Sequence, residues 1–286
     1  MYESYGAVPA EVFHYTKKST ALEKILFDKK IKISQFEFTN DPRETRERLF
    51  HFISLEDERK DTADWIRRET VRIIKQEWKV FCVSQHHPKL NPPHVSILDK
   101  HEVLNPNDSS SLYFNTFMAG SYRPRMWAQY AENHQGICIK FNGVKLDNRI
   151  REQLSGSCKI FCGEVIYSDH WLLEPLMVDL DEFLKSDNPT QVIRSYILKK
   201  FEHLFLLKAN DWETEYEFRW LLCSENNSAE YVSIEGVIEE VLVGVDFPKA
   251  YEPSLIRMCQ ELKVPAGRMI WVNGVPYLEP EIIYQP

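Results

Sequence analysis

The sequence predicts an α+β fold, a single domain over 1–286 with a mixed, mostly antiparallel sheet and flanking helices. Three observations predict it. Short apolar runs such as "EVFHYT", "KVFCVS", "GICIKF" and "EEVLVGVD" recur, separated by stretches of helical period. Hydrophobic residues make up 43% and aromatics 13% of 286 residues, enough for a packed interior and too much for a disordered chain. No repeat, low-complexity tract or Gly/Ser-rich linker divides the chain.

The elements follow in order. "EVFHYT" reads as a strand. "TALEKILFDKK" begins at Thr20 with Glu23 three residues on, a capping-box spacing, and places Leu22, Ile25 and Leu26 on one helical face. "IKIS" is a second strand. In "FEFTNDPRE", Asn40-Asp41-Pro42 makes a turn, because short polar side chains bond nearby backbone and proline fixes φ. A rival reading makes this a binding loop whose Asn40, Asp41 and Glu44 reach the site opened by the first strand. A helical stretch from about residue 43 to 77 follows, broken near "SLEDERKDT" and amphipathic later through Trp65, Ile66, Val71 and Ile74. "KVFCVS" is a buried strand. Residues 85–112, with their prolines and "DSSS", read as a long loop insertion.

"RPRMWAQYAEN" reads as a short helix with Trp127, Tyr130, Ala131 and His134 on one face. "GICIKF" and "KIFCGEVIYS" are strands, and a helical region extends from about 178 to 207. From Glu213 the chain alternates strictly. Glu213, Glu215, Glu217 and Arg219 take one parity; Thr214, Tyr216, Phe218 and Trp220 take the other. That is a strand with a charged face and an apolar face. Leu221 and Cys223 continue the charged parity, so the face turns apolar along its length, as at a cleft mouth. "YVSI", "EEVLVGVD", a helix through "PSLIRMCQEL" and the strand "GRMIWV" close the chain.

Bulk properties exclude several classes. A net charge of −8 and a pI near 5.7 give no general attraction for nucleic acid or anionic membranes. No apolar run approaches the ~18 residues of a membrane span, and the start lacks a charged-then-apolar signal. A cytoplasmic protein is expected. Most of the six cysteines lie in apolar runs, and the "CKIFC" pair, Cys158 and Cys162, lacks the second pair a zinc site needs. Reduced thiols and no metal centre are expected. No phosphate-binding Gly loop, His-Glu-x-x-His helix or Gly-x-Ser-x-Gly elbow is present.

Four stretches concentrate polar residues in apolar surroundings: His14 with Thr16, the Asn40–Glu44 turn, the Met126–Gly136 segment and the Lys208–Arg219 segment. Each also has a plain structural reading, a satisfied core histidine, an N-cap, helix packing and a solvated strand face. Arg123 and Arg125, ahead of the short helix, are candidates for pairing with phosphate.

Together these motifs resemble a large bacterial family catalogued only as a domain of unknown function. The residues that carry the resemblance are Asn40, Asp41, Pro42 and Glu44; Met126, Trp127, Tyr130 and Gly136; and Lys208, Trp212, Glu215, Glu217 and Arg219. The 85–112 loop departs from the pattern. A local resemblance is more informative about chemistry. "FHYTKKSTALEKILFDKKIKIS", with the Glu215–Glu217 spacing, resembles the start of NAD-dependent ADP-ribosyltransferases. It implies that His14, Tyr15 and Thr16 hold NAD, joined by Asn40, Tyr130 stacking on nicotinamide, and Arg219. It implies Glu217 as the catalytic carboxylate, with Glu215 placing the acceptor and His14 assisting. The partner is then a small-molecule nucleotide with an unspecified acceptor, and roles in phage defence or as a toxin follow by analogy.

Two other classes remain open. A metal-dependent nuclease or phosphodiesterase would use Asp41, Glu44, Glu215 and Glu217 as oxygen ligands to Mg²⁺ near Lys208. In a non-enzymatic sensor or interaction module, the same charges would form an ion-pair network.

Overall fold

The computed structural model describes residues 1–41, 44, 50–53, 60–87, 119–173, 175–272, 274–279 and 283–286. Its strands are β1 (Tyr2–Tyr5), β2 (Glu11–Thr16), β3 (Lys30–Gln35), β4 (Phe50–Ile53) and β5 (Trp78–Ser84). Next come β6 (Ile137–Asn142), β7 (Lys159–Glu164), β8 (Ile166–Tyr167), β9 (Leu176–Asp179) and β10 (Leu207–Lys208). The last are β11 (Glu217–Cys223), β12 (Glu230–Ser233), β13 (Ile238–Val243), β14 (Ala266–Val272) and β15 (Val275–Leu278). Helices stand beside strands that often follow one another directly, and the pairing is mixed and mostly antiparallel, which fits an α+β chain. Among the described residues no helix is long and apolar enough to cross a membrane.

The chain divides into two compact units, each assembled from three separate segments. The first comprises Met1–Ala7, Ile33–Phe81 and Leu154–Glu230; the second comprises Val8–Lys32, Cys82–Gln153 and Tyr231–Pro286.

In the first unit the strand order is β1-β7-β11-β5, with β3 joining β5 through Ser34↔Val80. β11 runs antiparallel to β7, Arg219 opposite Gly163 and Trp220 opposite Cys162. Aromatic residues fill the interior. Trp78 stacks on Phe205 at 4.1 Å, and Phe201 stacks on Phe161 at 4.8 Å and on Tyr5 at 4.6 Å. Each such ring contributes by area and by offset stacking, about 0.5–1.5 kcal/mol for the pair beyond burial. Helix Lys60–Glu77 buries Ala63, Ile66, Thr70, Ile73, Ile74 and Glu77, an i, i+3, i+4 stripe. Trp65 falls beside that stripe and is exposed, contrary to the face expected from sequence. Asn188 caps helix Pro189–Lys199, its side chain accepting from Gln191 N, with Pro189 in the first turn.

The expected helix from residue 43 onward is corrected here. Residues 50–53 form β4, paired in parallel with β9 from Phe50↔Leu176 to Ile53↔Asp179. Alternating Phe50 and Phe52, both buried, satisfy a strand period that the helical reading overlooked. The strand expected from Glu213 is also corrected. Residues Asn210–Glu215 form a 3₁₀ helix, Tyr216 turns left-handed at φ 44°, and β11 begins at Glu217. The 3₁₀ period is three, so Glu213 and Glu215 do not share a face with Glu217 by alternation. Phe218 to Leu222 are buried on both parities, so β11 is an interior strand rather than a half-solvated one.

In the second unit the order is β2-β6-β13-β14-β15, antiparallel except for β13 beside β14. His14 lies opposite Ile139 and Thr16 opposite Ile137. The predicted first helix begins earlier, at Lys18, and continues as a π-helix over Ala21–Leu26. Thr20 is already helical and makes no side-chain cap, so the capping box does not form. Leu22, Ile25 and Leu26 are buried as expected, each stabilising by about 1.5–3 kcal/mol. Helix Pro124–Gln129 ends at Tyr130, so the four-residue face expected from Trp127 to His134 does not exist as one helix. Helix Gly143–Leu154 and strands β1 and β15 were absent from the sequence expectations. Of the 85–112 loop, residues 88–112 lie outside the described residues, as do Pro42 and Arg43 of the Asn-Asp-Pro turn.

Candidate functional site

In the first unit, β10 and β8 lie parallel, with Lys208 opposite Tyr167. The 3₁₀ helix after Lys208 doubles the chain back, and the left-handed Tyr216 ends it. Glu215 and Glu217, two residues apart across that turn, thereby face the same ammonium. Lys208 Nζ donates to Glu215 Oε2 and to Glu217 Oε2, each at 2.9 Å. Arg219 grips Glu217 through a fork, Nε to Oε1 at 2.8 Å and Nη2 to Oε2 at 2.9 Å. Its Nη2 also donates to Glu44 Oε1, and Nη1 donates to the Phe205 carbonyl at 2.6 Å. The side chains of these five residues are only 1–6% exposed. Planar guanidinium suits the place, because one group serves two carboxylates and a carbonyl.

Among the described residues the set holds three carboxylates against two cations. Burial works against the charge on Lys208, but the carboxylates of Glu217, Glu44 and Glu215 outweigh burial and Arg219, holding its pKa above the usual lysine range. Lys208 stays charged and also sits over the Trp212 ring, 4.9 Å from its centroid. Tyr167 Oη accepts the Glu217 amide hydrogen at 2.9 Å. Burial first, and the Glu217 charge second, push its phenol up, so it stays neutral.

The Asn40–Glu44 segment divides by residue. Glu44 N donates to Asp41 O at 3.0 Å, which is the expected turn. Asp41 and Glu44 are buried and Asn40 is exposed. Glu44 bonds Arg219, whereas the binding-loop reading aimed it at the site opened by the first strand. Asn40 has no such contact among the described residues.

His14, Tyr15, Thr16 and Tyr130 belong to the second unit. His14 is partly buried, its Nδ1 3.3 Å from the Cys82 carbonyl. Burial pulls its pKa down to about 4, the bond to Cys82 opposing, so the ring is neutral near pH 7. Tyr15 donates to Gly120 O at 2.6 Å and packs edge-on against Trp127, a core role. Thr16 is buried, and Tyr130 packs at the margin of the same apolar cluster. Arg123 is buried and donates to the Gln85 carbonyl, while Arg125 is exposed.

Sequence reasoning missed a second charged group in this unit. Glu11 Oε2 lies 2.7 Å from His86 Nε2, and Glu11 Oε1 lies 2.6 Å from Lys140 Nζ. Gly120 N donates to His86 Nδ1 at 3.0 Å, which fixes the neutral ring as the Nε2–H tautomer. Burial alone would raise the Glu11 pKa; the bonds from His86 and Lys140 outweigh it and bring the carboxyl down to about 2. These three residues are scattered along the chain and share no pattern. Tyr167 was also missed, although a tyrosine in an otherwise apolar strand was a signal.

The family model described as a protein of unknown function (DUF2971) matches residues 126–220. That range holds Met126, Trp127, Tyr130, Gly136, Lys208, Trp212, Glu215, Glu217 and Arg219, the second and third motif groups on which the family resemblance rested. Comparison with curated proteins and with solved structures returned no match.

Proposed function

We propose that the Lys208–Arg219 cluster is the chemical centre of an enzyme with an ADP-ribosyltransferase-like core, cleaving the nicotinamide–ribose bond of NAD. In that reading Glu217 is the reacting carboxylate and Glu215 its neighbour toward the acceptor. The C1′–N bond breaks with its electron pair leaving on nicotinamide, and the ribosyl cation is captured by an acceptor that loses a proton. The observation that carries the reading is the charge balance of the hydrogen-bonded set among the described residues, three carboxylates against two cations in a buried environment. Negative charge held in low dielectric beside the ribose favours the cation that develops at C1′ as positive charge leaves the nicotinamide ring. Arg219 and Lys208 keep Glu217 ionised and immobile, so it needs no reorganisation as the bond breaks. The roles that the resemblance gives to His14, Tyr15, Thr16, Asn40 and Tyr130 carry no weight here.

A second reading is favoured by a different observation. Both oxygens of Glu217 are engaged by Lys208 and Arg219, which suits a structural ion-pair network in a sensor or interaction module. The metal-nuclease reading fits less well, because the Lys208 ammonium occupies the point between Glu215 and Glu217 that a bridging Mg²⁺ would take. Among the described residues no group of three or more His, Cys, Asp or Glu has a metal-holding arrangement.

The test is nicotinamide release from NAD by wild type and Glu217→Gln. The transferase reading expects release from wild type and a fall of 10²-fold or more in Glu217→Gln, in the range of lost electrostatic stabilisation. Wild type without release, together with no thermal shift at saturating NAD, sinks it. NAD at about 100 times its dissociation constant would add roughly 2.7 kcal/mol of stability.

A further inference from the structure

We infer that Tyr167 is the positioning residue for Glu217, holding the carboxylate where it acts by capturing its backbone amide. The inference rests on the reading of Glu217 as the reacting carboxylate. Glu217 opens β11 directly after the left-handed Tyr216, and its two backbone groups are treated differently. Its carbonyl accepts from Val165 N at 2.9 Å, in the gap between β7 and β8. Its amide donates to Tyr167 Oη, 50 residues away in sequence. A buried amide without a partner is costly, so the phenol completes the first rung of the strand.

Tyr167 also fixes the other half of the cluster. It is the register partner of Lys208 on β10, and the next residue, Ser168, donates its amide to the Lys208 carbonyl at 3.0 Å. One side chain on a two-residue strand therefore ties the main chain of Glu217 to the strand that carries Lys208. With φ of Tyr216 at 44°, the backbone entering Glu217 is strained, and such a conformation persists only where neighbours over-determine it. The phenol oxygen is the neighbour that does so at Glu217. Because its proton stays on, the hydroxyl acts as a fixed acceptor for this amide rather than as a base.

Tyr167→Phe keeps the ring and removes only the acceptor. In amide hydrogen exchange followed residue by residue, the Glu217 amide should exchange at least about tenfold faster, the scale of one lost hydrogen bond. The amides of Trp220 and Leu221 serve as internal controls and should change less. In nicotinamide release, kcat should fall about tenfold with KM within about twofold, the split expected when a reacting group is displaced but binding is kept. An unchanged Glu217 amide, a uniform acceleration of all β11 amides, or an unchanged kcat overturns the inference. If wild type releases no nicotinamide, the functional reading fails by itself; the Glu217 amide then decides whether Tyr167 positions that residue.

Discussion

Two of the hydrogen-bonded charge sets among the described residues differ in their access to water. In the first unit, Glu44, Lys208, Glu215, Glu217 and Arg219 are 1–6% exposed. In the second unit, Glu11, His86 and Lys140 are 14–22% exposed. A charge in the first set has no water to fall back on when a partner is lost. A charge in the second set keeps part of its hydration. Mutation should therefore dominate the energetics of the first set, and pH that of the second.

The largest expected effect tests the first half of that statement. Arg219→Met should cost about 3–5 kcal/mol, because it takes the guanidinium from Glu44, from the Phe205 carbonyl and from Glu217, which keeps Lys208. Lys140→Met should cost about 1 kcal/mol, since Glu11 retains His86 and some solvent. Urea midpoints at pH 7 check both. Equal losses in the two variants would break the comparison.

The next effects belong to the second unit and depend on pH. Glu11 has a folded pKa of about 2 against an ordinary 4.5. A depressed carboxyl contributes stability that is complete above the unfolded value and is lost as pH falls from about 4.5 toward 2. The full shift corresponds to about 3 kcal/mol as an upper figure. Glu11→Gln should flatten the stability curve in that window. A curve that stays equally steep would move the acid sensitivity elsewhere. His14 titrates higher, with a folded pKa of about 4 against 6.5. The unfolded chain binds the extra proton between those values, so stability present above pH 6.5 is lost on going down to pH 4. His14→Gln should remove that slope, on the order of 1–2 kcal/mol for a partly buried ring. If the slope survives, His14 does not stay neutral in the fold.

The two sets were unequally legible in the sequence. Glu215, Glu217 and Arg219 stood out because charge inside an apolar run is improbable without a partner. Their alternation gave the wrong local structure, since a 3₁₀ turn and a left-handed residue replace the first half of the strand. It still gave the right residues, because what brings them together is Lys208, seven and nine positions before the two glutamates. Glu44 had a sufficient local explanation as part of a turn, which hid its bond to Arg219. Glu11, His86 and Lys140 could not be grouped, because only the β2–β6 register and the second residue after β5 assemble them. Among the strands, β2, β5, β6 and β13 were readable from compact apolar runs. β4 was not, because "FHFI" falls inside a stretch whose flanks have helical composition.

The smallest expected effect sharpens the comparison at the backbone. Both units hold left-handed non-glycine residues: Tyr216 in the first, and in the second Lys29, Lys263 and three in succession at Glu132, Asn133 and His134. Each member of the run is bonded: Gln135 N donates to Glu132 O at 3.2 Å, Asn133 N to Ala128 O at 3.2 Å and His134 N to Trp127 O at 3.1 Å. Asn133 is its exposed member, so glycine there removes strain without removing packing. Asn133→Gly should change stability by only a few tenths of a kcal/mol, in the stabilising direction, by thermal unfolding. Tyr216→Gly should instead lower nicotinamide release while leaving NAD affinity nearly unchanged, because freedom at that φ releases the aim of Glu217. If Tyr216→Gly and Asn133→Gly behave alike, strain at Tyr216 is only the geometry of a turn. A loss confined to Tyr216→Gly ties that strain to the placement of the Glu217 carboxylate.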